Sequence, residues 1–161
     1  MRRIDALLAD YGSSHRTRGN LACHAVGITL IVFGTLAMLD AVRLSGWWTA
    51  AEVLIGAAAI AYLSLDRPLG LATIGAIVLL DFAAHAAGSW RWGLAAFVLG
   101  WIFQGIGHAV YEKNSPAFVR NLVHLLVGPA FLVNEALRIR RPSPETALRG
   151  MAPAPINKKS S

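Results

Sequence analysis

The chain has 161 residues, of which 55% are hydrophobic and only 15% charged, and a formal net charge of +6. That charged share lies well below the roughly 25% of soluble domains, and the charges fall in clumps between long apolar runs, which excludes a soluble bundle in favour of a multi-pass membrane protein surrounded by lipid bilayer. The basic residues flank the apolar runs and form no stripe interleaved with aromatics, so no nucleic-acid partner is expected. The single cysteine, Cys23, leaves no intrachain disulfide and no thiolate metal cluster.

Residues 1–20 carry Arg2, Arg3, Asp5, Asp10, Arg16 and Arg18 and lack a continuous apolar core, so they are expected to be a cytoplasmic lead-in and not a cleavable signal peptide. Ile4, Leu7 and Leu8 offer a face that could rest on a membrane surface. A first span is expected over about 21–42, then a tight turn at Arg43-Leu44-Ser45-Gly46. A second span runs over about 47–65, from Trp47-Trp48 to the break at Asp66-Arg67-Pro68, where proline disfavours helical geometry in the residue before it. The third covers about 69–87, stopped by Gly88-Ser89, and the fourth about 92–111. A fifth apolar segment, 117–137, differs in kind, because it holds Asn121, His124, Gly128-Pro129, Asn134 and Glu135. Residues 138–161 form a basic, Pro-rich tail with the composition of a disordered segment. The glycines at 34, 56, 70, 75, 100, 105 and 107 are expected to serve close helix packing.

The distribution of basic residues selects among topologies. With four spans and a fifth helix that is re-entrant or does not span, Arg2, Arg3, Arg16, Arg18, Arg67, Lys113, Arg120 and the whole basic tail share one side, opposite only Arg43 and Arg91. A fifth crossing would export the tail. The expected fold is therefore an all-α transmembrane bundle of four spans with both termini cytoplasmic and residues 21–137 as the functional domain. Trp47, Trp48, Trp90 and Trp92 then form an aromatic belt at the far interface. The Ala- and Arg-rich composition and short loops favour a bacterial inner membrane over the endoplasmic reticulum.

This topology sorts the histidines. His15, His24, His108 and His124 converge on the cytoplasmic side, while His85, one turn after Asp81, falls some 25 Å away at about 1.5 Å per residue. Gln104, His108 and Glu112 recur every four residues and stack along one helical face, which a lipid-facing helix has no use for. Neutral imidazoles from separate helices, with Glu112 nearby, suit Fe(II) or Zn(II). Glu112 and Asn20 stand either as direct ligands or as partners that orient the imidazoles. Asp81 and His85 read as a proton relay or as a buried or solvated polar pair.

At these residues the chain resembles the small membrane 2-hydroxy fatty-acid dioxygenases of fatty-acid α-oxidation, fungal members of which act in phytosphingosine breakdown. One block is Y-x3-H-x4-N-x3-H, here Tyr11, His15, Asn20 and His24. A second, longer block is W-I-F-Q-x2-G-H-x3-E-K-x2-P-A-x3-N-L, here Trp101, Gln104, Gly107, His108, Glu112, Pro116 and Asn121-Leu122, continued by Pro129, Phe131 and Glu135. The resemblance covers about residues 10–137 and implies an Fe(II) (Fe2+) enzyme that uses O2 to convert a long-chain 2-hydroxy fatty acid to the acid one carbon shorter. It implies iron on His15, His24 and His108, with Glu112 in the catalytic set and Tyr11, Asn20, Gln104 and Asn121 behind the ligands or against substrate. Fungal members carry Gln at the position of His124, so a fourth ligand there rests on the physical reading alone. Two other classes remain open: a haem electron carrier with His24 and His108 as axial ligands, and a non-catalytic binding or assembly subunit.

Overall fold

A computed structural model describes residues 2–13, 15, 17–112 and 123–140. Arg16, Lys113, Pro116, Arg120, Asn121 and the tail from 141 onward lie outside the described residues, as does the side chain of Glu112. The architecture is helical: α1 (Arg3–Ser13), α2 (Arg18–Asp40), a hairpin of β1 (Arg43–Ser45) and β2 (Trp48–Thr49), α3 (Ala50–Leu65), α4 (Arg67–Ala87), α5 (Trp90–Ile106), a π-helical turn (Gly107–Glu112) and α6 (Val123–Leu137).

Side-chain caps set the helix boundaries. The Thr17 hydroxyl accepts the Asn20 N–H and opens α2 earlier than the apolar run suggests. Thr49 and Glu52 form a capping box, which starts α3 at Ala50 and leaves Trp47-Trp48 to the hairpin turned by Gly46. The Asp66 carboxylate caps α4 by accepting the Leu69 N–H at 3.0 Å, with Pro68 in the first turn, and Gly88 in left-handed geometry ends that helix.

These boundaries bear on the span count. Three helices, α2, α4 and α5 continued to Tyr111, are long and apolar enough to cross a membrane. The segment expected to span over 47–65 keeps only 16 helical residues, because its first three are spent on the hairpin and the cap. α6 has 15 and runs through Pro129, which cannot donate to the Leu125 carbonyl; one residue on, the Tyr62 hydroxyl donates to the Leu126 carbonyl at 2.7 Å and ties α3 to α6.

The central seam joins α2 to α5. A Cβ at Gly27 would lie 2.9 Å from the Gly100 carbonyl oxygen, one at Gly100 would lie 2.7 Å from that of Gly27, and Gly34 meets Gly93 in the same way. Two backbones in contact at two levels need glycine on both sides. Gly70 likewise packs on the Tyr62 carbonyl, whereas Gly56, Gly75 and Gly105 face open space, contrary to the packing role expected of them. Helices apolar all round do not announce which face is inward.

α1 is also revised. Its Ile4, Leu8 and Tyr11, at helical spacing, are buried against α6, so protein and not a membrane surface covers this face. Beside it, Asp66 is buried between Arg140, just past α6, and Arg2, just before α1, which hydrogen-bonds it at 3.3 Å. Burial works to raise the Asp66 carboxyl, but the Leu69 N–H and the Arg140 and Arg2 guanidiniums outweigh it and hold the group below the usual carboxylate range.

Candidate metal centre

His24 projects from the first turns of α2, His108 from the π-helical turn, and His15 from the link between α1 and α2. All three are buried, and one ligand atom of each lies within 4.8 Å of the others. Their ring centroids stand 4.2 Å apart for His15 and His24, 4.8 Å for His24 and His108, and 5.1 Å for His15 and His108. Gly107 makes the approach possible, since a Cβ there would strike the Asn20 side chain and lie 3.2 Å from His24 Nδ1. The π-helical turn inserts a wider coil at this point, a device that often marks functional sites.

Two rings are oriented by main-chain carbonyls one turn back. His15 Nδ1 donates to the Tyr11 carbonyl at 2.6 Å and His24 Nδ1 donates to the Asn20 carbonyl at 3.0 Å. A carbonyl only accepts, so each Nδ1 carries the hydrogen and each Nε2 the lone pair. Fixing the tautomer through the distal nitrogen is how metal-binding histidines are held. The orienting role expected of Asn20 is thus carried by its backbone. Tyr11 stacks on His15 at 4.2 Å and 11°, and Phe131 packs tilted against the tyrosine at 4.9 Å. Burial alone pushes the Tyr11 phenol well above its usual range, so it stays neutral.

His124 sits near this group and outside the set of three. Its Nε2 lies 2.8 Å from Asp10 Oδ2, a pairing that nothing in the local sequence signals, and its ring meets the edge of Tyr11 at 5.8 Å. His85 is at the opposite end of the bundle, its Nδ1 2.9 Å from Asp40, with Asp81 beside it. Gln104 is buried one turn before His108.

A cavity of about 320 Å3 opens from the histidines. Tyr11, His15, His24, His108, Gln104 and His124 line its polar end, and Ile28, Ile31, Val32, Phe97 and Trp101 continue it along the α2–α5 seam. No sequence signal marks Ile28, Val32 or Phe97 as cavity residues, because they are indistinguishable from other apolar positions of their helices.

Residues 1–140 match the family model described as 2-hydroxy-palmitic acid dioxygenase Mpo1-like. The chain belongs to the Mpo1-like family. The 2-hydroxy-palmitic acid dioxygenase MPO1 of Saccharomyces cerevisiae is 34% identical over 134 residues, covering 81% of this chain and 77% of the yeast protein. No solved structure matches the chain. The Mpo1-like match reaches every described histidine and also takes in α1, which supplies the carbonyl that orients His15.

Proposed function

We propose that this Mpo1-like protein is a non-haem Fe(II) dioxygenase that converts long-chain 2-hydroxy fatty acids to acids one carbon shorter. The observation that carries this reading is the convergence of three buried imidazoles, two with Nδ1 committed to a carbonyl and Nε2 left with its lone pair. Neutral nitrogen donors of this kind suit iron(II), and three of them leave coordination positions for other ligands. Bound iron would supply Lewis-acid and one-electron chemistry toward O2 and the 2-hydroxy-carboxylate.

The chain's own residues supply the rest. His15, His24 and His108 hold the metal, with Glu112 in the same turn as His108. The apolar walls of Ile28, Ile31, Val32, Phe97 and Trp101 take the acyl tail and exclude water from the reacting end. Asp10 fixes His124 in orientation beside the cavity.

In the membrane, α3 runs back from the hairpin end to the histidine end, and its length of about 24 Å approaches the roughly 30 Å of a hydrocarbon core. We take it as the fourth crossing, shortened by the hairpin, with α6 not spanning. The basic distribution supports a topology with both termini and the histidine cluster on the cytoplasmic side. A bis-histidine haem fits poorly, because the His15 ring, 4.2 Å from His24 and 5.1 Å from His108, occupies the space a porphyrin between those two would need.

The test is elemental analysis and absorption spectroscopy of detergent-purified protein, followed by assay of 2-hydroxypalmitic acid under O2. Near-stoichiometric iron without a Soret band, and release of a fifteen-carbon acid, is the expected result. No iron after anaerobic loading, or a Soret band, would overturn the reading.

A further inference from the structure

The Tyr11 hydroxyl has no assigned task, although its ring does. The ring is buried, stacked on His15 and flanked by Phe131, and the hydroxyl end points toward α6, where a Cβ at Gly128 would stand 3.3 Å from the oxygen. Gly128 and Tyr11 both line the cavity that holds the three histidines. The Tyr11 phenol makes no hydrogen bond among the described residues, and burial alone perturbs it. A buried tyrosine hydroxyl ordinarily finds an acceptor, and glycine at 128 keeps open the space in which one would sit.

The proposed substrate brings such an acceptor. A 2-hydroxy-carboxylate that engages a metal through its hydroxyl and one carboxylate oxygen still has a second carboxylate oxygen, which can only accept. In a cavity whose walls beyond the polar end are apolar apart from Thr35, leaving that oxygen without a donor would be costly. The neutral phenol of Tyr11 is a donor at the polar end of the same cavity.

Resting on the function proposed above, we infer that the Tyr11 hydroxyl binds the free carboxylate oxygen of the 2-hydroxy acid, so that Tyr11 positions the substrate head as well as His15. The geometry separates these two tasks. Stacking on His15 uses the ring, and the carbonyl that orients His15 belongs to the backbone, so Tyr11→Phe removes the hydroxyl and retains both.

The experiment measures iron content and binding of 2-hydroxypalmitic acid and its methyl ester to iron-loaded protein, for wild type, Tyr11→Phe and Gly128→Ala. Expected for Tyr11→Phe is unchanged iron and acid binding weakened about 10- to 100-fold, the range for a hydrogen bond to a charged group, with ester binding nearly unaltered. Gly128→Ala, which crowds the hydroxyl without removing it, is expected to show the same acid-selective loss to a smaller degree. Unchanged acid binding in both variants, or equal losses for acid and ester, overturns the inference and leaves the proposed function standing. Failure of the iron-loaded wild type to bind the acid overturns both. Iron lost from Tyr11→Phe, with Gly128→Ala binding the acid normally, shows the hydroxyl to be structural and overturns the inference.

Discussion

At one end of the bundle His15, His24 and His108 bring a ligand atom each to within 4.8 Å; at the other, Asp40, Asp81 and His85 do the same. Distance does not separate the two clusters, but surroundings do. The three imidazoles are buried, and the partners that orient two of them are carbonyls, which hold the ring and leave its lone pair in place. At the far end the His85 side chain is 53% exposed, Asp40 accepts from Thr49 at 3.1 Å and pairs with His85, and Glu52 is committed to the Thr49 cap. There Thr49 ties Asp40 and Glu52 together at the start of α3. What separates the two ends is burial and the way the rings are held, not spacing.

The largest expected effect tests that contrast directly. His108→Ala should abolish tight iron binding and 2-hydroxy acid turnover, whereas His85→Ala should leave iron content unchanged; elemental analysis of the two purified variants decides it. Iron lost equally from both would erase the distinction between the ends. A second contrast lies within the helices. Gly100→Ala drives a Cβ onto the Gly27 carbonyl and the Ile31 backbone and should cost about 1–3 kcal/mol of stability. Gly56→Ala meets nothing and should fall within about 0.5 kcal/mol, as outward-facing substitutions do. Thermal unfolding in detergent ranks the pair.

Asp66 offers a pH test at the histidine end. Its pKa is lowered in the folded state, so its contribution is fully present above the unfolded carboxyl value of about 3.9 and is lost as pH falls through the lower folded value. Asp66→Asn should therefore be less stable than wild type between about pH 5 and 7, and the gap should close as pH drops below about 4. A gap independent of pH would mean that packing, and not the ion pairs with Arg140 and Arg2, is what the aspartate contributes. Smallest is the cap at the far end: Thr49→Ala should cost about 1 kcal/mol without altering iron content.

Much of the histidine cluster was legible in the sequence because its residues carry their own labels. Histidine is scarce in apolar helices, so His24 and His108 stand out by position alone, at the ends of two spans on the same side. The seam partners Gly27 and Gly93, the inward face of α1, the Asp10–His124 pair and the Arg2–Asp66–Arg140 tie were not legible. Each joins residues far apart in the chain, and nothing local to Asp10 or Arg2 distinguishes it from a solvated charge. The π-helical turn was equally hidden, since Gly105 and Gly107 permit it without requiring it.

The sequence alone determined that the chain is helical and apolar, that it breaks at Asp66-Arg67-Pro68 and Gly88-Ser89, and that four histidines share one end of the bundle, because prolines, glycines and charge flanks act within a few residues. The tertiary structure decided that α3 is shorter than the other three, that α1 packs on α6, that three imidazoles meet while His124 turns to Asp10, and that the cavity beside them runs along the α2–α5 seam. These depend on which of several equally apolar faces turns inward, and long-range packing sets that choice.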